Sequence, residues 1–295
     1  MLYLDLTNLG DSDIKYKVSK FPDGQQSITL EKFTFTQRLS TILIKSRLNS
    51  FNDLELIICA NQSLRELGIE DVNLYVPYFL GARSDRKFVE GSVNYLKTVI
   101  CPIINSQKFN KVIVVDPHSD VLEACLDNYV KINNFDLVEF ALSHINDFQP
   151  TLVSPDAGAY KKIFDVAKHF GLTNIVTATK VRDIVSGNII STEIDIDTEP
   201  GQRSYVIVDD ICDGGRTFIE LAKAIRSKRH KSIFNDKIYL VVTHGIFSAG
   251  FGELNKYFDG IFTTNSVKGI GDMEADSAGN LHKTNVKQLN VFLKK

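Results

Sequence analysis

The sequence predicts an α/β fold with mainly parallel sheets. Three features point there. Short β-branched, apolar runs alternate with longer stretches at helical spacing along the 295 residues, the order that yields parallel strands joined by crossover helices. Several runs, "VIVV" at 112–115 and "YVIV" at 205–208 among them, are apolar at successive positions, as in strands covered on both faces. Finally, "VIVVDPHSD" (112–120) echoes "VIVDDICD" (206–213): each sets polar residues just after a buried strand. That echo suggests two related domains, 1–142 and 143–295, with the last segment able to pack back on the N-terminal one.

The predicted strands of the first half are 2–6, 26–30, 41–46, 72–78 and 111–116; those of the second are 151–155, 174–179, 204–210, 237–244 and 260–266. Between them, Leu54, Ile57, Ile58, Leu64 and Leu67 recur at helical spacing over 52–68. Asn52 or Asp53 is placed to cap that helix and Gly68 to end it. Residues 92–107 also read as helix, with a kink or break expected at Pro102. Residues 157–170 and 217–229 complete the set.

Composition is that of a folded globular chain, 43% hydrophobic and 24% charged. A net charge of -2 and a pI near 6.3 argue against bulk nucleic-acid binding. The apolar runs are too short to span a bilayer, and the N-terminus lacks the basic start of a signal peptide. Cys59, Cys101, Cys125 and Cys212 form no C-x-x-C pair. They read as free thiols of a cytoplasmic protein, without a structural zinc. The expected partners are small molecules, with no nucleic acid and no membrane.

Ligands of open α/β sheets bind beyond the carboxyl ends of strands, and five polar stretches stand there. In "DDICDGGRTF" (209–218), Gly214 and Gly215 let backbone amides converge on an anion. Thr217 opens a helix with Glu220 three residues on, the spacing of a capping box. A helix start after a glycine turn suits phosphate; Asp209 and Asp210 suit the hydroxyls of a sugar diol. The segment therefore reads as a ribose-phosphate clamp, the plain alternative being a strand-end turn with an ordinary cap. His118 in "VDPHSD" can meet a metal or phosphate, or simply be a hydrogen-bonded loop histidine. Asp156 in "VSPDAGAYKK" can hold Mg²⁺ through water or act as an N-cap. Arg83, Arg86 and Lys87 surround Asp85 in "PYFLGARSDRKF" (77–88), a set suited to polyphosphate oxygens or to a solvated loop. Lys180 and Arg182 enter a β-ribbon around Ser186–Gly187, where mobile cations can close over a reacting phosphate. No Walker loop and no dinucleotide fingerprint is present.

Taken in order, "FPDGQ" (21–25), "PYFLGARSDR" (77–86), "VDPH" (115–118), "SPDAGA" (154–159), "KVR" (180–182), "DDICDGGRT" (209–217) and "THGIFS" (243–248) resemble the motifs of ribose-phosphate pyrophosphokinases. The resemblance spans nearly the whole chain. It implies two tandem phosphoribosyltransferase-type domains related by a pseudo-twofold axis. It further implies Mg²⁺-dependent transfer of the diphosphate of ATP to the 1-hydroxyl of ribose 5-phosphate, giving phosphoribosyl pyrophosphate and AMP. By position, Phe21, Asp23 and Gln25 would reach the adenine of a neighbouring subunit, and Arg83, Asp85, Arg86 and His118 would hold ATP. His118 and Asp156 would lie near Mg²⁺, and Lys180 and Arg182 on the catalytic loop. Asp209 and Asp210 would face the ribose hydroxyls, and Asp213, Gly214, Gly215, Arg216 and Thr217 would cradle the phosphate. The family assembles as dimers, usually grouped into hexamers.

The chain departs from the family at Gln25 (Glu), Ser84 (Gln) and the middle of "KVR". The largest departure is "DGGRT" for D-T-A-G-T, which sets Arg216 in place of a glycine. An added cation there suits a larger 5-substituted ribose, as in the phage-type ADP-ribose pyrophosphate synthetases that resemble this family. A non-catalytic regulatory homologue and a plain phosphoribosyltransferase are the remaining readings. The first is disfavoured by the presence of Lys180, Arg182, His118 and Asp156, the second by "PYFLGARSDR".

Overall fold

The computed structural model describes residues 1–32, 40–182, 189–196, 202–229, 236–269 and 285–293; side chains at 180–182 and 189–191 are outside that description. The chain divides into two compact units, Met1–Asn133 with Val291–Lys295, and Asn134–Asn290.

In the first unit, β1 (Leu2–Asp5), β4 (Ile42–Lys45), β5 (Val72–Tyr75), β6 (Val112–Val115) and β7 (Tyr129–Ile132) form an all-parallel sheet in that order. β2 (Tyr16–Lys20) and β3 (Gln26–Leu30) form a separate antiparallel ribbon. Helix α1 (Phe51–Glu66) buries Leu54, Ile57, Ala60 and Leu64 against the strands, one turn apart as amphipathic packing requires. Its cap is Ser50 rather than Asn52 or Asp53. Ser50 Oγ accepts from the Asp53 amide at 3.2 Å, and Asp53 Oδ2 accepts from the Ser50 amide at 2.9 Å, a reciprocal box. The expected interruption near Pro102 is a π turn over Leu96–Ile100, running straight into α2 (Cys101–Ser106). Pro102 then lies in the first turn of α2, where a missing amide costs nothing. α3 (Val121–Cys125) links β6 to β7.

The C-terminal segment completes this unit. Lys45, buried at the end of β4, donates to the carbonyl of Phe292 at 2.8 Å and lies 4.4 Å from the centre of the Tyr3 ring. Tyr75 Oη donates to Val291 O at 2.9 Å, and the Phe292 ring meets Tyr75 edge-on at 6.0 Å. Burying an aromatic ring there is a substantial term. Replacing Phe292 by Ala should therefore lower stability by about 3 kcal/mol, read as a shifted midpoint in urea unfolding of the whole chain. Phe292→Leu should cost clearly less.

The second unit holds a seven-stranded sheet in the order β10-β9-β8-β11-β12-β13-β14. The strands are β8 (Thr151–Ser154), β9 (Ile175–Arg182), β10 (Ile189–Ile194), β11 (Ser204–Cys212), β12 (Lys237–Gly245), β13 (Gly260–Thr264) and β14 (Val286–Leu289). All pairs are parallel except β9 with β10. The continuous apolar run of β11 serves two cores: Tyr205 and Ile207 pack on one face, Val206 and Val208 on the other. Helix α4 (Phe135–Leu142) packs against β12 and β13 and so falls in this unit. α5 (Tyr160–Phe170) follows a 3₁₀ turn after β8; α6 (Arg216–Lys228) follows β11, and α7 (Leu254–Tyr257) precedes β13.

Strand order reverses direction at the centre of this sheet. β8 leads through α5 to β9 on one side, and β11 leads through α6 to β12 on the other. The crevice beyond the carboxyl ends of β8 and β11 is thus a topological switch point, the usual ligand position of an open α/β sheet.

Candidate active site

Two constellations emerge, one in each unit. In the second unit, the "SPDAGA" and "DDICDGGRT" segments flank the switch point. Asp209 is half-buried and Asp210 buried at the end of β11. The Asp210 amide donates to Asp209 Oδ1 at 2.9 Å, and Lys162 Nζ of α5 stands 3.5 Å from Asp210 Oδ1. The Asp209 carboxyl is pushed well above its ordinary value, first by loss of hydration and then by the charge of Asp210; Lys162 opposes the shift. Two adjacent acids held this way carry an electrostatic cost that a polar ligand can relieve.

Beyond them the chain turns through Gly215 at φ +78°, and a Cβ there would meet Leu254 at 2.9 Å, so only glycine fits. Gly215 takes the N-cap position of α6 with no side-chain cap, and Glu220 pairs instead with Lys223 at 2.9 Å. The expected Thr217–Glu220 capping box is therefore not formed. The helical ladder begins with the amides of Phe218 and Ile219, both on Gly215 O at 3.0 Å. The amides of Gly214, Gly215, Arg216 and Thr217 precede it, at the positive end of the helix dipole. Arg216, the first residue of α6, is exposed and makes no ion pair among the described residues.

"THGIFS" braces this loop. Ile246 and Phe247 donate their amides to Cys212 O at 2.9 and 3.1 Å, and Ser248 Oγ donates to Asp213 Oδ1 at 2.5 Å. Phe247 holds φ +46°, a conformation that costs a non-glycine residue about 1 kcal/mol or more. Its ring is buried against Phe251 at 4.7 Å, which keeps it there. Gly245 is required for the same reason: a Cβ would lie 2.1 Å from the Phe247 ring. The Cys212 thiol, pushed up to about 12 chiefly by burial, is no nucleophile at neutral pH. Asp156 caps the 3₁₀ turn, Oδ1 accepting from Gly158 and Ala159 at 3.0 and 3.2 Å. Lys180 and Arg182 occupy the last residues of β9, with Thr192 and Ile189 of β10 opposite. The Ser186–Gly187 turn lies outside the described residues.

In the first unit, Asp85 is buried while Arg83 and Arg86 are exposed. Arg86 grips Asp85 with both edges of its fork, Nε at 2.7 Å and Nη2 at 3.1 Å. Asn94 Nδ2 fixes the loop by donating to Asp85 O at 2.7 Å. The Asp85 carboxyl is held below its ordinary value by the Arg86 hydrogen bond, against the effect of burial, with further help from the charges of Arg86 and His118. The loops after β5 and β6 are thereby brought together. Asp116 turns the chain toward His118 with φ +44°, a second strained residue at a site loop. Phe21, Asp23 and Gln25 form the exposed tip of the β2–β3 ribbon. Its turn is closed by Phe21 N to Gln25 O at 2.8 Å and Gln25 N to Asp23 Oδ1 at 3.1 Å.

Lys162, Asn94 and Ser248 join these constellations without having been singled out in the sequence. Among the described residues, no helix is long and apolar enough to cross a membrane, and no group of three or more His, Cys, Asp and Glu residues is set to hold a metal.

No family model matches the chain. It is similar to the ribose-phosphate pyrophosphokinase of Vibrio parahaemolyticus, 25% identical over 276 residues that cover 91% of this chain and 82% of that protein. It is likewise similar to that of Haemophilus ducreyi, 24% identical over 300 residues, 99% of this chain and 87% of that protein. Among solved structures, phosphoribosylpyrophosphate synthetase from Mycobacterium smegmatis matches with a TM-score of 0.75 at 16% identity, over 96% of this chain and 88% of that one. The fold is thus the α/β, phosphoribosyltransferase-type architecture with parallel sheets.

Proposed function

We propose, from the premise that this chain is a divergent relative of the ribose-phosphate pyrophosphokinases and a diphosphokinase-type transferase, that it moves the diphosphate of ATP to the 1-hydroxyl of ribose 5-phosphate. The observation that carries this reading is the switch-point loop 209–217: paired acids for a diol, then uncapped amides at a helix start for a phosphate. In the proposed reaction the acceptor's 1-oxygen bonds to the β-phosphorus in line as the bond to the α,β-bridging oxygen breaks. AMP leaves, and the hydroxyl proton passes to solvent.

Asp209 and Asp210 accept from the ribose hydroxyls and orient the 1-oxygen. The amides of Gly214, Gly215, Arg216 and Thr217 hold the 5-phosphate, and Asp213, fixed by Ser248, shapes the loop that presents them. Arg83, Arg86 and His118 bind ATP, and Asp85 fixes Arg86 for that task. Lys180 and Arg182 supply positive charge where it develops on the transferred group. Asp156, with hard oxygens of the kind that Mg²⁺ takes, and His118 are the proposed metal residues of their respective units. One oxygen of Asp156 already serves two amides, and no three-residue cage occurs among the described residues. This fits an ion that arrives on the triphosphate. When bound, Mg²⁺ neutralises phosphate oxygens. The exposed ribbon tip, with Phe21, Asp23 and Gln25, suits contact with the adenine held by a neighbouring subunit in a homo-oligomer, a dimer or hexamer. A cytoplasmic location agrees with the reading.

A specific observation favours a second acceptor. Arg216, without an ion pair among the described residues, stands at the positive end of α6, where a cation is disfavoured unless an anion joins it. That suits a larger 5-substituent such as the second phosphate of ADP-ribose. Mass spectrometry of products from ATP with each acceptor decides between them. Phosphoribosyl pyrophosphate and AMP support the first reading, a product from ADP-ribose alone overturns it, and no product from either favours a non-catalytic homologue. Arg216→Gly should raise KM for the true acceptor about tenfold, the value of one charge-assisted contact. Its kcat should stay nearly unchanged in the same steady-state assay.

A further inference from the structure

We propose that Lys162 is a positioning residue of the acceptor site, fixing Asp210 beside Asp209 so that the acid pair meets the sugar diol in one geometry. This rests on the reading that those acids bind a ribose. Lys162 lies in the first turn of α5, the helix that leaves β8, and crosses the switch point to an acid on the neighbouring strand β11. Its Nζ is 3.5 Å from Asp210 Oδ1, with side chains only 21% and 8% exposed.

The placement runs against local preference. The first turn of α5 carries Lys161 and Lys162 and no acid, although cations at a helix start oppose the dipole. The residue that follows, Ile163, is fully buried, and it fixes the helix face from which Lys162 departs. A lysine in that position is explained by what it reaches. Asp210 is also tied to its neighbour, since its amide donates to Asp209 Oδ1 at 2.9 Å. Lys162 therefore sets a positive charge on one member of a pair of adjacent acids, where it offsets their mutual repulsion. Because the contact touches acids rather than the reacting phosphorus, its loss should weaken acceptor binding and spare the chemical step.

The test uses the full chain and compares Lys162→Met, Lys162→Gln and Lys162→Arg with the wild type, each first checked for a native unfolding transition. Lys162→Met should raise Kd for ribose 5-phosphate by calorimetry, and its KM, at least tenfold. KM for ATP should stay within about twofold and kcat within about threefold, and Lys162→Arg should restore most of the loss. If Met does not fold, Gln carries the same expectation. The Lys162→Met and Asp210→Asn effects on Kd should be strongly non-additive. Unchanged acceptor Kd in a folded variant, an equal loss of ATP affinity, or additive effects overturn the assignment. A wild type that binds ribose 5-phosphate yet yields no AMP refutes diphosphate transfer alone and leaves the Kd comparison to decide Lys162. A wild type that binds neither ribose 5-phosphate nor ADP-ribose overturns both.

Discussion

Replacing Lys180 by Ala is expected to lower kcat about 10³-fold or more, the scale of a cation that stabilises charge on a transferred phosphoryl group. The unfolding transition should stay close to that of the wild type. The separation of the two effects follows from where Lys180 sits. It is near the end of β9, where the ladder with β10 is built from backbone groups, with Thr192 opposite. Alanine keeps those groups, and its lower strand preference costs at most about 1 kcal/mol. β10 is the edge of the sheet and packs against α6, the helix whose start forms the proposed phosphate site. The ribbon strands are thus held on the same unit as the acceptor loop. Arg182→Ala, two residues on, should give a similar but smaller loss. Steady-state rates of AMP formation with saturating acceptor measure both. Activity within tenfold of the wild type in a folded Lys180→Ala protein would remove the residue from the transfer step.

The central strands were legible because burial on both faces leaves an unbroken apolar run. β11 and β12 carry residues of two cores on alternate positions, and their short length and β-branched content set such runs apart from a buried helix. β2, β7 and β14 were not read from the sequence. "YKVSK" and "YVKI" are mostly exposed, and "VKQL" has one neighbouring strand. With one face or one edge in water, the apolar signal falls to the level of a loop. The helix cap fell on Ser50 because its hydroxyl and the Asp53 carboxylate satisfy two amides at once, whereas Asn52 and Asp53 lie inside the first turn.

The site shows the same division. A glycine turn after two acids is a local signal, so 209–217 stands out in the sequence without help from residues elsewhere in the chain. Thr217 and Glu220 have capping-box spacing, but that spacing does not reveal the left-handed Gly215 ahead of them, which sets the helix start. Lys162 and Ser248 act on acids remote in sequence, reached only through strand order and loop packing. Lys162 had one trace in the sequence: two lysines in the first turn of a helix without an acid, against the dipole. Asp85 was readable as part of a cationic cluster. That its charge is spent on its own neighbour, Arg86, is visible only in the fork geometry.

Asp209→Asn is expected to separate binding from stability in the opposite sense to Lys180. The carboxylate should be worth about 10²-fold in kcat/KM for the acceptor, since each of two hydrogen bonds from a diol is worth about 1.5–3 kcal/mol to a charged group and about 0.5–1.5 kcal/mol to a neutral amide. Without ligand, the same carboxylate burdens the fold. Its folded-state value lies well above the ordinary 3.8 because of burial and the charge of Asp210. Between the unfolded and the raised folded value, the native state holds more protons than the unfolded chain, so stability falls as pH rises through that window and stays lower above it. Asn carries no such charge and also relieves Asp210 of a like-charged neighbour. The variant should therefore unfold about 2–4 °C higher than the wild type at pH 7, and the difference should vanish below about pH 4. Saturating ribose 5-phosphate should narrow the gap by stabilising the wild type more than the variant. Thermal unfolding across pH 4–8, with and without acceptor, measures this; a variant less stable than the wild type at pH 7 would show that Asp209 serves the fold and that its cost is compensated within the protein.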